Sequence, residues 1–266
     1  MTDDARSVAF DRAASFYDNT RTLSPDAAQH VNDLLAAELG GRGRALEIGV
    51  GTGRIALPLA AAGVPLVGVD LSRPMLDRLI EKTNRRPPFP LVIADATRLP
   101  FRGGAFGAAY AAHVLHLIPA WRDAVGELVR VVRSGGTVLI DIGMPPSKDD
   151  DEPIEAVTDR FTIESGLQRR HPGLEENGAP ALDDAFAGLG ARVRVLPGIR
   201  EERRLPLDGW IQLLRGNVFS WTWPLDDATR NRAADATLAW ARERFGDLSE
   251  PRDFSYTVQW RAYDLP

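Results

Sequence analysis

Arg44-Ala45-Leu46-Glu47-Ile48-Gly49-Val50-Gly51-Thr52-Gly53-Arg54 joins a short apolar run to three glycines at alternate positions. The run predicts a buried strand, and the glycines remove side chains where that strand turns into a helix. Backbone amides can then approach a ligand closely, as in loops that hold a nucleoside cofactor. Spacing separates two cofactor classes. A dinucleotide fingerprint runs G-x-G-x-x-G, but Arg54 stands where its third glycine belongs and Gly53 falls one residue early. Glu47 places a carboxylate near the strand end, where it would repel a pyrophosphate and attract an ammonium or a sulfonium.

Further segments follow in order. Pro65-Leu66-Val67-Gly68-Val69-Asp70 is apolar and ends in an acid roughly 20 residues after the glycines, where a carboxylate can accept hydrogen bonds from ribose hydroxyls. Leu91-Val92-Ile93-Ala94 leads into Asp95-Ala96-Thr97-Arg98-Leu99-Pro100-Phe101, and Phe106 to Leu117 gives a fourth strand with its outgoing loop. The stretch from Glu127 through Arg130 and Gly135-Gly136 to Ile140 leads into a fifth.

Together these motifs, over residues 44–142, resemble the E-x-G-x-G-x-G, D-A-x-x-L-P-F and E-x-x-R-V-L-x-P-G-G-x-x-x-I segments of the class I S-adenosylmethionine-dependent methyltransferases. The likeness is to the small-molecule branch that includes the ubiquinone and menaquinone biosynthesis methyltransferases. Ser134 replaces the proline of the last segment. The resemblance implies an α/β fold: a Rossmann-like doubly wound seven-stranded sheet, mostly parallel with an antiparallel last strand, plus a small helical cap. It implies S-adenosyl-L-methionine as cofactor, held by Gly49, Gly51 and Gly53, with Asp70 on the ribose and Leu71 and Met75 beside it. Asp95 would accept from the adenine amino group, and the backbone N–H of Ala96 would reach the ring. Glu47 would meet the cofactor's amino-acid end or orient the glycine loop, and His113 would line the cofactor.

Phe10-Asp11-Arg12-Ala13-Ala14-Ser15-Phe16-Tyr17-Asp18-Asn19-Thr20-Arg21 resembles the F-D-x-x-A-x-x-Y-D-x-x-R opening of the same branch. There the helix folds over the cofactor, which makes Tyr17 a candidate for closing the site and Arg21 for binding a carboxylate of cofactor or substrate. The alternative is an ordinary surface helix whose Phe10 and Tyr17 pack down.

Composition narrows the class. The 266 residues allow one large domain, hydrophobic content is 44% and charged content 26%, all ordinary for a globular chain. Apolar stretches fall short of the ~20 residues that cross a bilayer. The opening residues Thr2, Asp3, Asp4 and Arg6 lack the order of a signal peptide, so a cytoplasmic setting is expected. Cysteine is absent, which excludes disulfides and methyltransferases that work through a thiolate. A net charge of −5 gives no general attraction for a polyanion, and the arginines at 169–170 and at 200, 203 and 204 read as solvated faces. The expected partner is a small molecule, with no nucleic acid and no membrane.

Strand-like runs alternate with helical patterns expected near 25–39, 54–62, 73–84 and 120–132. Ser72 is an expected N-cap, with Pro74 tolerated in the first turn. A single domain is expected, with an N-terminal helical cover at 1–40, a cofactor-binding core at 41–142, an insertion at 143–180, and C-terminal strands at 181–266 carrying a cap at about 206–246. Within these, Pro145–Pro153 is a charged loop and helices are expected at about 153–165, 181–190, 207–215 and 226–245. Asp226 is the expected N-cap of the last and Gly246 its stop. Strand six is expected at 191–196, and Phe254 to Tyr263 reads as one alternating closing strand. Five of the six tryptophans lie at or beyond Trp210. Packing of core and lid is one reading of them; the other is a cap whose Trp221 or Trp223 meets an apolar substrate.

Methyl transfer from a sulfonium needs alignment more than a base. Where a proton must leave the acceptor, His116, just beyond strand four, is the candidate base, although a histidine that caps the next turn fits as well. Asp141 ends strand five without the second acid and neighbouring asparagine of a catechol-type metal site, so no metal is expected. His113-Val114 follows strand four without the N/D-P-P-Y/F segment of exocyclic-amine methylators. Two rival readings stand: a nicotinamide-dependent oxidoreductase, and a protein that binds S-adenosylmethionine without catalysis.

Overall fold

The computed structural model describes residues 7–141, 152–169, 171–175 and 178–266. The opening residues Thr2 to Arg6, Arg170 and positions 145–151 of the charged loop lie outside them. The described strands are β1 Ala45–Ile48, β2 Leu66–Asp70, β3 Leu91–Ile93, β4 Phe106–Ala111, β5 Val132–Asp141, β6 Arg192–Val195, β7 Ile199–Pro206, β8 Pro251–Val258 and β9 Trp260–Asp264. The helices are α1 Tyr17–Thr20, α2 Pro25–Leu39, α3 Ala56–Ala61, α4 Arg73–Lys82, α5 Trp121–Val131, α6 Glu152–Ser165, α7 Ala179–Gly188, α8 Leu207–Arg215 and α9 Asp227–Phe245. Two compact units form, Met1–Met144 with Pro172–Ile199 and Val258–Pro266, and Pro145–His171 with Arg200–Thr257.

The first unit is built on a seven-stranded sheet in the order β3-β2-β1-β4-β5-β9-β6. Every residue of β1, β2 and β4 is buried, the continuous apolar pattern that a parallel sheet covered on both faces requires. β1 pairs in parallel with β2 and β4, and β5 in parallel with β4, whereas β9 runs antiparallel between β5 and β6. From β1 the chain builds outward to β2 and β3, then returns to place β4 on the other side of β1. The crevice beyond the carboxyl ends of β1 and β4 is therefore the topological switch point, where ligands of such sheets bind.

Helix ends follow local chemistry. Ser24 and Ser72 accept from Ala27 N and Met75 N at 3.3 Å to cap α2 and α4, and Asp226 accepts from Thr229 N at 2.8 Å to cap α9. Gly246 ends α9 with φ 75°, where a side chain would be strained. The core packs Leu46, Ile48 and Val69 of the sheet with Val125 and Leu128 of α5 and Phe186 of α7. Arg194 of β6 clamps the sheet edge, donating to both oxygens of Glu38 in α2 at 2.9 and 2.8 Å and to Asp264 at 2.6 Å. Its guanidinium holds both carboxyls below their usual range.

The closing run departs from the expected single strand. It divides at Gln259: β8 pairs with β7 in a two-stranded ribbon, and only β9 enters the main sheet. In β7, Ile199 and Glu201 turn inward while Arg200, Glu202 and Arg204 are exposed, an alternation hidden in a charged sequence. The arginines there are paired, Arg200 with Glu202 at 3.0 Å, Arg203 with buried Glu201 at 2.5 Å and Arg204 with Asp253 at 3.3 Å. Besides this ribbon, the second unit packs α6, α8 and α9 through Val157, Phe161, Ile211, Leu214, Ala234 and Ala241.

Candidate active site

At the carboxyl end of β1 the glycine turn is held open by its backbone. Gly49, Gly51 and Gly53 have φ of 69°, 55° and 80°, the left-handed region that disfavours side chains. A Cβ on Gly49 would lie 2.7 Å from Cγ2 of Val114, and one on Gly51 would lie 3.1 Å from Cε of Met75. The turn is thus pressed on one side by the exit of β4 and on the other by the start of α4.

Asp70, the last residue of β2, fastens this turn. Its Oδ2 accepts from Gly51 N at 2.7 Å and its Oδ1 from Ser72 N at 2.8 Å. The side chain is buried; burial raises its pKa, while backbone hydrogen bonds from Ser72, Gly51 and Leu71 pull it down. Leu71 itself is half-buried and Met75 buried. Asp95, after β3, accepts from Thr97 N and Thr97 Oγ1, both at 2.9 Å, and from Ser7 Oγ at 3.1 Å, with Ala96 buried next to it.

Glu47 does not stand as an exposed anion. It is 3% exposed and accepts from the Tyr110 hydroxyl at 2.9 Å, across the register that sets the two residues side by side. Burial pushes its carboxyl up to about 8, so the proton stays on at neutral pH. The free charge expected from sequence is absent because the strand buries the position.

The segment after β4 carries the other side of the crevice. His113 has φ 51°, a conformation rarely adopted by residues with a side chain, and its Nε2 lies 3.2 Å from Oδ2 of Asp141. Asp141, a solitary acid in the sequence, is therefore a partner of the histidine. His116 lies in the 3₁₀ turn Leu115–Leu117, and its backbone carbonyl accepts from Gly173 N at 3.0 Å.

The N-terminal segment is fixed to these same loops. Asp11 accepts from Ser72 Oγ at 2.6 Å, and Asp18 accepts from Thr52 Oγ1 at 2.6 Å and pairs with Lys82 at 2.6 Å. Lys82 also donates to the carbonyl of Thr52 at 2.9 Å, and Val8 N to that of Leu117 at 3.0 Å. Tyr17 is half-buried with its ring edge-on to Phe10 at 6.0 Å, and Arg21 closes α1. Sequence reasoning singled out Tyr17 and Arg21 but gave no role to Asp11 and Asp18, which bond to Ser72, Thr52 and Lys82.

In the second unit, Trp221 packs against Phe161 and Phe219, with the Arg169 guanidinium 5.6 Å from its ring. Trp223 donates its indole N–H to the Asn217 carbonyl at 3.1 Å. A separate cavity of about 410 Å³ lies at the opposite, amino-terminal edge of β1 and β2, lined by Gly41, Gly43, Gly63 and Pro65 among others. Among the described residues, no titratable side chain lines it.

A doubly wound sheet with a glycine turn at its switch point and an acid closing the next strand defines a nucleoside-cofactor-binding protein. Comparison with known proteins takes this further. A family model described as a methyltransferase domain matches residues 46–140. The chain is 38% identical over 109 residues to a phosphatidylethanolamine N-methyltransferase of Cereibacter sphaeroides, covering 40% of this chain and 53% of that protein. Such matches leave the chain spanning about half the length of several curated relatives. A longer match, 34% over 213 residues, joins 79% of the chain to 87% of a demethylmenaquinone methyltransferase of Streptomyces avermitilis. Among solved structures, the YcgJ protein of Bacillus subtilis superposes with a TM-score of 0.60 at 18% identity, over 90% of this chain and 99% of its own. The chain belongs to the class I S-adenosylmethionine-dependent methyltransferase family. S-adenosylmethionine is the cofactor of that family, and no comparison supports a nicotinamide enzyme or a non-catalytic binder.

Proposed function

We propose that this chain transfers a methyl group from S-adenosylmethionine to a small, partly apolar acceptor in the cytoplasm. The observation that carries the reading is the pair of hydrogen bonds that Asp70 accepts from Gly51 N and Ser72 N at the switch point. It fixes the glycine turn and an acceptor group in one rigid frame. A carboxylate has about four acceptor positions, so Asp70 retains capacity for ribose hydroxyls. Asp95 would accept from the adenine amino group through the capacity that Thr97 and Ser7 leave, with Ala96 N beside the ring. The glycine turn, with Met75 packed against it, would lie under the cofactor, while Tyr17 and Arg21 would close over its amino-acid end.

When bound, S-adenosylmethionine supplies a methyl group already activated on a cationic sulfur. The protein's part is to align the acceptor and keep water out. The carboxyl groups of Asp70, ending β2, of Asp95, just beyond β3, and of Asp141, ending β5, lie at the carboxyl edge of one sheet, a setting that suits a sulfonium and opposes a pyrophosphate. Relatives named for methylating phosphatidylethanolamine and demethylmenaquinone support an acceptor with apolar character.

Thermal unfolding with S-adenosylmethionine, S-adenosylhomocysteine or NAD tests the cofactor choice, since a ligand at about 100 times its Kd stabilises by ~2.7 kcal/mol. A rise in Tm with the first two alone supports the proposal. A rise only with NAD overturns it. Transfer of labelled methyl to an apolar hydroxyl, amine or carbon acceptor then tests catalysis.

A further inference from the structure

We propose that His113, oriented by Asp141, is the group that takes the proton from a hydroxyl-bearing methyl acceptor. The inference rests on the methyltransferase reading above and adds the acceptor's chemical class and the residue that deprotonates it. Its basis is position. β4 and β5 lie side by side, and their carboxyl ends bring His113 and Asp141 together from 28 positions apart. The contact is 3.2 Å between Nε2 and Oδ2. Asp141 is sealed, with 2% of its side chain exposed, whereas 23% of the His113 side chain remains open. Val114, the next residue, is the one pressed against Gly49 of the cofactor turn.

The backbone supports the same conclusion. His113 holds φ 51°, while Ala111 and Ala112 before it and Leu115 after it are buried. Among residues with side chains, sparsely populated backbone conformations of this kind concentrate at functional sites. The left-handed turn at the strand exit aligns the imidazole with Asp141.

The chemistry follows from the hydrogen bond. With Nε2–H donated to Asp141, the lone pair is on Nδ1. Burial lowers the pKa of His113, Arg54 and Arg21 lower it further, and Asp141 offsets them in part, so the ring is neutral at neutral pH. A neutral amine attacks with its own lone pair and sheds its proton afterwards, whereas a hydroxyl gains from a base in the transition state. The acceptor oxygen forms the new carbon–oxygen bond as the carbon–sulfur bond breaks with its electron pair on sulfur. The hydroxyl proton passes to Nδ1, and Asp141 stabilises the imidazolium that results.

Nitrogen-15 NMR of histidine-labelled enzyme tests this, because the chain holds only four histidines, His30, His113, His116 and His171. His113→Asn assigns the signal, because asparagine tolerates the left-handed backbone. The expected spectrum at pH 7 shows His113 neutral, protonated on Nε2 and bare on Nδ1. Asp141→Asn should lower its pKa further and mix the tautomers. A proton on Nδ1 at pH 7, or a titration unmoved by Asp141→Asn, overturns the proposal.

With 2-naphthol as probe acceptor and S-adenosylmethionine saturating for each protein, His113→Asn should slow methyl transfer ~100-fold and remove the acid limb of the pH profile. Transfer at the wild-type rate refutes the role of His113 alone. Failure of the wild type to bind S-adenosylhomocysteine refutes the methyltransferase reading itself.

Discussion

The Tyr110 hydroxyl donates to the Glu47 carboxyl at 2.9 Å across neighbouring parallel strands, with both side chains withdrawn from water. The pair lies under the glycine turn, and each partner alters the other: burial raises Glu47, and burial together with the adjacent carboxyl raises Tyr110 well above its usual value. Glu47 therefore serves the turn as a neutral, hydrogen-bonded support.

This makes stability depend on pH in a definite direction. The folded pKa of about 8 lies above the ordinary value of 4.5, so between them the folded state keeps a proton that the unfolded state has lost. Stability falls as pH climbs from about 4.5 to about 8 and levels beyond. Glu47→Gln keeps an acceptor for Tyr110 and removes the titration. Its Tm should decline less than the wild type's between pH 5 and 8, each kcal/mol being worth ~2–4 °C for a chain of this size. Asp70, also raised by burial, leaves a residual slope. Parallel curves for the two proteins would contradict the assignment.

Gly49 is needed for two separable reasons, its φ of 69° and the 2.7 Å approach of Val114 to a Cβ. Gly49→Ala should destabilise by ~1–2 kcal/mol for the left-handed backbone and by a further ~1–3 kcal/mol for overpacking. Val114→Ala makes room for the methyl, so the double variant should be more stable than the sum of the singles by at least ~1 kcal/mol in chemical denaturation. Additivity would show that the clash relaxes elsewhere.

The N-terminal segment is tied to the cofactor loops by Asp11 and Asp18. Asp18→Ala removes the bonds to Thr52 and Lys82. Amides within residues 11–21 should then exchange ~10-fold faster, equivalent to ~1.4 kcal/mol of local opening, with β1 and β4 unchanged. Equal protection in both proteins would mean that the segment is held without the Asp18 bonds.

What the sequence disclosed follows from the range of each signal. β1, its glycine turn and Asp70 were legible because apolar runs, glycines and a terminal acid are local marks of a buried parallel strand. Ser72, Asp226 and Gly246 were legible as helix ends for the same reason. The division of the closing run at Gln259 was not, because an alternating strand carries no mark of its partner; β8 pairs with β7 and β9 with β5 and β6. β7 was hidden since its inward residues include Glu201, a charge that burial tolerates beside Arg203. The pairs Glu47–Tyr110 and His113–Asp141 depend on strand order and register, which no local pattern reveals.

Asp70 joins the glycine turn to the expected ribose contact, so it carries the central claim. Calorimetric titration of S-adenosylhomocysteine into wild type and Asp70→Asn is the most direct test. The account expects saturable one-site binding by the wild type and affinity at least ~10-fold weaker in the variant, a loss of ~1.4 kcal/mol, with the variant still folded by circular dichroism. Equal affinity in the two folded proteins, or no binding by the wild type, would contradict it.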